Sequence, residues 1–164
     1  GILKAVKKEN MIELDFPVDQ PVKAPLPEGI SEALGAMPAH CLKGVSDYLL
    51  VFDREEDIKS LSPDFELLRK TNARGVIVTA PGKDYDFISR FFGPQVGINE
   101  DPVTGSAHTL LVPYWSKKTG KKSLIARQVS SRGGTLYCTM AENRVQIAGK
   151  VVTYMEGKIH LPNI

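Results

Sequence analysis

Alternating and continuous runs of apolar residues divide most of the chain into strand-sized segments. Residues 3–6 and 11–16 alternate around a polar turn, which predicts a β-hairpin. Two strongly apolar runs, 47–53 and 75–80, predict buried strands. Further strands are predicted at 85–92, 124–129, 135–140 and 144–155, the last with a bulge at Gly149.

Helical segments are fewer and are marked by proline. Residues 30–37 predict a short helix that Pro38 ends, and a second helix is predicted from Ser62-Pro63 through Lys70, with proline in its first turn. The four prolines between residues 17 and 27 lie too close together for regular structure and predict an extended connector.

The segment after Gly105 predicts a buried helix. Its apolar side chains leave almost no polar face before Lys117, and a helix that is apolar all round belongs in a core. Pro113 cannot donate to the carbonyl of Thr109, so a bend is expected there. With so many strands and one buried helix, a curled sheet or barrel around that helix is the expected arrangement.

Composition agrees with one globular domain. The 164 residues are 42% hydrophobic and 24% charged, and no apolar run approaches a membrane span. With 21 basic against 19 acidic residues, a nucleic-acid partner is not expected. Two cysteines make no disulfide framework, and no secretory signal is visible, so the expectation is a soluble, cytoplasmic protein without a membrane partner.

The most unusual segment lies at the start of the buried helix. First-turn amides have no partner within a helix, and glycine lets a ligand approach the backbone, so such a terminus can bind an anion. If Thr104 is the N-cap, the amides of Gly105 and Ser106 lie in the first turn and face outward, with the Ser106 hydroxyl as a further donor. Asp101 then stays free just upstream.

A second register is equally compatible with the local rules. Asp101 followed by Pro102 is itself a helix start, with the aspartate as N-cap and proline at the first helical position. In that register the Gly105 amide bonds the Asp101 carbonyl, and nothing is left for a ligand. The motif then only caps a helix.

Other candidate residues have ordinary structural explanations. The three histidines lack metal-ligand spacing, so no metal is predicted, and His108 is interpreted as a core or rim histidine bonded to backbone. Arg90 and Arg132 have the geometry to bind a ligand carboxylate, but an ion pair is the default for each. Cys138 shares a strand face with apolar residues and is predicted to be in the core.

Several stretches together resemble one known family. The run GINEDPVTGSAHTLLVPYW, with VTAPG, SRFFGP, QVSSRGG and NRVQIAGK around it, is similar to the phenazine-biosynthesis-like (PhzF-type) proteins, relatives of diaminopimelate epimerase. The likeness runs from Leu3 through most of the chain. It resembles the C-terminal half of such proteins, which have two similar halves and an active site in the cleft between them.

The resemblance implies a fold, a chemistry and a set of residues. The fold is α+β, a diaminopimelate epimerase-like half with a curled mixed sheet or barrel around a central buried helix at about residues 104–118. The activity is cofactor-independent isomerisation of a small carboxylated substrate by proton transfer; the phenazine-pathway member isomerises a dihydro-hydroxyanthranilate. Asp101 matches the active-site aspartate, and Gly105 and Ser106, with Thr104 beside them, match the substrate-binding positions.

Two departures from the family pattern limit the activity that is expected. The family's principal acid/base is a glutamate of the other half, and residues 1–164 correspond to a single domain without it. Thr104 stands where the epimerase relatives have a cysteine, and an alcohol is too weak an acid for two-thiol racemisation. The expected partner is therefore the N-terminal half of the same protein or a second copy; the alternatives are a carboxylate-binding half without catalysis and an interaction or structural module.

Overall fold

One mixed β-sheet and four helices make up the part of the chain that the computed structural model describes, residues 3–160. The strands are β1 (Lys4–Lys8), β2 (Met11–Pro17), β3 (Val22–Lys23), β4 (His40–Lys43), β5 (Asp47–Val51), β6 (Gly75–Pro81), β7 (Phe87–Gly93), β8 (Ile98–Asp101), β9 (Ser123–Gln128), β10 (Gly134–Ala141) and β11 (Arg144–Lys150). The helices are α1 (Ile30–Leu34), α2 (Glu55–Ser60), α3 (Phe65–Lys70) and α4 (Gly105–Thr119), with a 3-10 turn at Pro94–Val96. The α+β class and the large mixed sheet agree with the prediction.

The sheet follows the order β1-β2-β11-β10-β9-β7-β6-β5-β4-β3, and β8 pairs with β7 outside this path. Two neighbouring pairs are parallel, β5 with β6 and β7 with β9. The predicted hairpin is present as β1 and β2, which pair antiparallel from Lys4 opposite Asp15 to Lys8 opposite Met11. This order brings β9, β10 and β11 beside β2, and it is these strands that form the pocket described below.

Strands β5, β6 and β7 separate two hydrophobic cores, which explains their nearly continuous apolar sequences. One side of β6 contributes Ile77 to the core that contains α4, whereas Val76 and Val78 face the core that contains the three short helices. A strand that is buried on both faces has no polar side to display. The apolar runs at 47–53 and 75–80 are therefore correctly interpreted as buried strands.

Trp115 fixes helix α4 against this sheet. Its ring is 2% exposed and stacks on Phe87, with centroids 5.6 Å apart and an interplanar angle of 3°. The indole Nε1 donates to Thr79 Oγ1 at 3.0 Å, and that hydroxyl donates to the Ile88 carbonyl at 2.7 Å. The helix that the sequence predicts at about 104–118 is present at Gly105–Thr119, buried along most of its length.

Pro113 lies inside α4 and leaves the carbonyl of Thr109 without its helical donor. The backbone N–H of Asp19, in the segment after β2, donates to this carbonyl at 3.2 Å. The carboxylate of Asp19 in turn accepts from the Val45 amide at 3.0 Å. The Thr109 carbonyl, which Pro113 leaves without a helical donor, thus attaches the β2–β3 connection to the helix.

Some element boundaries differ from the sequence prediction. Helix α3 begins at Phe65 instead of Pro63, because the Asp64 carboxylate caps it by accepting from the Leu67 amide at 2.9 Å. The predicted strand 144–155 ends at Lys150, and residues 151–160 are exposed and lack regular structure. Helix α2 and strands β3, β4 and β8 are additions to the predicted set, since their short segments carry no clear hydrophobic period.

None of the helices within residues 3–160 has the length and apolar character that crossing a membrane requires.

Candidate functional site: a pocket at the start of helix α4

Helix α4 begins at Gly105, with Thr104 as its N-cap in an extended conformation (φ −110°, ψ 105°). Asp101 ends strand β8 and pairs there with Phe91 of β7, so its backbone is held in the sheet. Of the two registers that local rules allow, the structure has the one that starts after Thr104. The alternative, in which Asp101 is the N-cap, is wrong because residues 102–104 are not helical and α4 begins only at Gly105.

The cap residue hydrogen-bonds the aspartate. Thr104 Oγ1 donates to Asp101 Oδ2 at 2.5 Å, and α4 has no side-chain hydrogen bond at its cap. Asp101 is half-buried and Thr104 is 8% exposed. The sequence analysis expected a free carboxylate at Asp101. In the structure it is not free, because one of its oxygens accepts the threonine hydroxyl.

Gln128, at the end of β9, holds the loop before the helix. Its Oε1 accepts from the Thr104 amide at 2.8 Å, and its Nε2 donates to the Asp101 carbonyl at 2.8 Å and to Thr104 Oγ1 at 3.1 Å. The side chain is fully buried. Because one amide satisfies three groups of the loop, the positions of Asp101 and Thr104 both depend on Gln128.

The first amides of α4 remain available. Among the described residues, neither the Gly105 nor the Ser106 amide donates a hydrogen bond to another group. Gly105 is half-buried and Ser106 is exposed. These N–H groups, together with the helix dipole, supply positive potential at the helix start.

Gly105 lines an open pocket of about 870 Å³ between α4 and strands β2, β10 and β11. Apolar side chains of the strands, including Leu14, Leu136 and Ile147, form one part of its wall. The charged side chains that line it are all cationic: Arg127, Arg132 and Lys150. A pocket with an apolar wall, cations and a helix N-terminus suits a small organic anion.

The turn before β10 is attached to the loop before α4. Ser130 Oγ donates to the Pro102 carbonyl at 2.8 Å and accepts from the Gly133 amide at 3.0 Å. Gly134 packs so closely that a Cβ there would lie 2.6 Å from Val103 Cγ2. A larger residue at this contact would displace the Val103 side chain, so glycine lets the turn carrying Arg132 lie close to the helix start.

His108 supports the helix start from inside the core. It is 0% exposed, and its Nδ1 lies 2.8 Å from the Thr104 carbonyl, which can only accept, so Nδ1 carries the proton. Nε2 has no hydrogen-bond partner among the described residues. Burial lowers the pKa of His108 to about 4, so the ring is neutral at pH 7. The interpretation of His108 as a core histidine is confirmed.

The structure brings some of the predicted site residues together and separates others. Asp101 and Thr104 are in direct contact, but of the predicted site residues it is Gly105 that lines the pocket. Arg90 forms a two-point ion pair with Glu100, at 2.7 and 3.0 Å, as the default interpretation predicts.

Sequence reasoning missed Gln128 and the cations Arg127 and Lys150. A signal for Gln128 was present, because it follows Leu124 and Ala126 on the inward face of β9, where a polar side chain needs a partner. No comparable signal marked the two cations, since any surface strand carries such residues.

Comparison with known proteins gives consistent matches along the chain. The sequence profile described as phenazine biosynthesis-like protein matches residues 4–157. An uncharacterized isomerase of Pseudomonas aeruginosa is 47% identical over 161 residues, which cover 98% of this chain and 62% of that protein. A phenazine biosynthesis-like domain-containing protein of mouse is 38% identical over 182 residues, again covering 62% of its length.

Solved structures show the same likeness. A PhzF-family protein of Enterococcus faecalis superposes with a TM-score of 0.88 at 42% identity, covering 96% of this chain and 60% of that one. A Clostridium difficile protein described as a putative phenazine biosynthesis PhzC/PhzF protein gives 0.85 at 37% identity, covering 97% and 61%. The chain thus spans about three fifths of the length of the relatives it matches.

Proposed function

This chain belongs to the phenazine biosynthesis-like (PhzF) family, and we propose from that membership that it forms part of an isomerase acting on a small carboxylated substrate by proton transfer. The observation that carries the proposal is that a free helix amide and a cation-lined pocket lie side by side. The unbonded amide of Gly105 lies at the edge of a pocket whose charged side chains are all cations. A carboxylate is the substrate group that such a site favours.

In this proposal the residues of the helix start have separate roles. The amides of Gly105 and Ser106 bind the substrate carboxylate, and Asp101 is the catalytic carboxylate that this chain supplies. Thr104 was predicted to bind substrate and stays in that set; its hydroxyl already donates to Asp101 and accepts from Gln128. Thr104 therefore contributes to binding through its backbone and by fixing the position of the loop.

Carboxylate binding is tested by adding benzoate to the isotope-labelled protein. We expect the amide resonances of Gly105 and Ser106 to shift saturably. Gly105→Ala should weaken binding about tenfold, because a methyl group would occupy the approach to the amides. The protein itself has room for this methyl, since the nearest atoms to a Cβ belong to the Phe16 ring at 3.8 Å.

Gly157→Ala, in the exposed C-terminal segment, is the matched control and should bind benzoate like the parent. If the Gly105 and Ser106 resonances stay in place at saturating benzoate, carboxylate binding at the helix start is wrong. Equal affinity of the Gly105→Ala and parent proteins would place the ligand elsewhere.

The catalytic role of Asp101 has its own test. When the chain is joined to the polypeptide that completes the pocket, substrate carbon should take up deuterium from solvent, and Asp101→Asn should abolish this exchange. An amide keeps the acceptor for the Thr104 hydroxyl but cannot take the proton at neutral pH. Exchange that survives in the Asn variant would remove Asp101 from the mechanism.

A second candidate function is that of a half without catalysis, in which Asp101 is purely structural, whether or not the helix start binds a carboxylate. The contacts of Asp101 favour this structural role, because Thr104 and Gln128 already bind the residue and hold the loop. On this alternative Asp101→Ala lowers stability by about 1 kcal/mol, the usual net value of a hydrogen bond, because the Thr104 hydroxyl loses its acceptor, and carboxylate binding is unchanged.

We further propose that residues 1–164 form one domain, a curled sheet or barrel around α4, and that a second wall closes the pocket. The wall is the N-terminal half of the same protein or a second copy of this chain. Support comes from the half-exposed apolar residues of the pocket, including Ile12, Leu14 and Tyr137. The isolated chain should therefore self-associate at high concentration in a sedimentation experiment; a monomer throughout would contradict this.

A further inference from the structure

The arginines of the chain differ in one respect: whether a carboxylate neutralises them. Five of the seven form ion pairs, and the structure gives their partners as Asp57, Glu66, Asp47, Glu100 and Asp15. Within residues 3–160, Arg127 and Arg132 have no ion-pair partner. These two arginines line the same pocket, next to the start of α4.

Arg127 is held in place although no acid binds it. Its Nη1 donates to Thr135 Oγ1 at 3.1 Å, across the β9–β10 pair. Its guanidinium also packs on the turn, where a Cβ at Gly133 would lie 2.9 Å from Nη2 and the backbone has φ +64°. A half-buried guanidinium fixed by a neutral partner keeps its charge and its other N–H groups available.

The turn between β9 and β10 places Arg132 in the lining of the same pocket. Ser130 attaches this turn to the loop before α4 through the Pro102 carbonyl and the Gly133 amide. Lys150, at the end of β11, adds a third cation to the pocket lining, and no carboxylate side chain is among the described residues that line it. Three cations without a counter-charge repel one another, so an added oxyanion is favoured here beyond the one at Gly105.

We propose that the ligand of this pocket is a dianion, and that Arg132 and Arg127 determine this specificity. The inference rests on the proposed function, in which the Gly105 and Ser106 amides bind one carboxylate. The second oxyanion, a carboxylate or another singly charged group such as a sulfonate, binds the guanidinium groups of Arg132 and Arg127. The body between the two anionic groups lies against the apolar wall formed by Leu136 and Ile147.

Affinities for benzoate, isophthalate and 3-sulfobenzoate test the proposal, measured by amide shifts at one ionic strength near 0.15 M. The dianions should bind at least about tenfold more tightly than benzoate, since a charge-assisted hydrogen bond is typically worth that factor or more. Arg132→Gln and Arg127→Gln should each reduce the dianion affinity toward that of benzoate. The same variants should weaken benzoate binding by a smaller factor than dianion binding, since the single carboxylate of benzoate binds the helix amides. The comparison of the two dianions shows which oxyanion the arginines prefer.

Arg54→Gln is the matched control, because it removes the same charge from an exposed ion pair outside the pocket. A loss of dianion affinity in this variant equal to that of Arg132→Gln would mean general electrostatic attraction and would overturn the inference. Equal affinity of benzoate and both dianions would also overturn it, while leaving the proposed function intact. Dianion binding that depends on Arg132 but leaves the Gly105 and Ser106 resonances unmoved would instead contradict the proposed function.

Discussion

Gln128→Leu should lower the free energy of unfolding by about 3 kcal/mol. Leucine has a similar volume but offers no hydrogen bonds, so the Thr104 amide and the Asp101 carbonyl each lose the partner that the buried Gln128 side chain provides. A buried polar group without a partner costs about 1–3 kcal/mol, and two such groups are created. Chemical denaturation at pH 7 measures the difference.

The loop that Gln128 holds should also lose its single conformation. We therefore expect the amide resonances of Gly105 and Ser106 to shift or broaden in Gln128→Leu, together with weaker benzoate binding. Gln146→Leu is the matched control, because Gln146 is half-buried on β11 and its side chain makes no hydrogen bond among the described residues. Equal destabilisation by both substitutions would show that the amide of Gln128 does not organise the helix start.

Acid should destabilise the protein through His108, by about 3 kcal/mol between pH 7 and pH 4. The folded-state pKa of about 4 lies below the value of about 6.5 in an unfolded chain, because burial disfavours the charged ring. Between these values the unfolded state binds more protons, so stability rises with pH. The stabilisation is therefore fully present above about pH 6.5 and is lost as pH falls toward 4.

The test is the pH dependence of unfolding in the parent and in His108→Gln. Glutamine keeps an N–H donor but does not titrate, so the variant should lack this part of the slope between pH 4 and 6.5. Gln146→Leu, which removes no titratable group, should keep the slope of the parent. Identical slopes in the parent and His108→Gln would mean that the histidine is already solvated in the folded state.

Hydrophobic pattern alone located the most apolar elements of the fold. The runs at 47–53 and 75–80 and the helix after Gly105 are strongly apolar, and burial of such residues is the largest favourable contribution to folding. Helix α2 and strand β4 were missed because they are short and mix polar with apolar residues. The end of β11 at Lys150 was missed because the apolar residues that follow it, such as Val152, lie exposed.

The candidate site, too, was only partly predictable from the sequence. Asp101, Thr104, Gly105 and Ser106 are contiguous, so sequence could place them at one helix start, but it left two registers open because both obey the capping rules. The folded chain resolved the choice, since residues 102–104 are not helical and α4 begins at Gly105.

The sequence by itself determined the family, the buried helix and the residues at its start, because these depend on local patterns and a contiguous motif. The tertiary structure decided which groups act on that start. Gln128 lies 24 residues from Thr104, and Arg127 and Arg132 are likewise distant in sequence from Gly105. Their contacts arise from the pairing of β9 with β7 and β10, and pairing between distant strands depends on the packing of the whole sheet instead of on any local pattern.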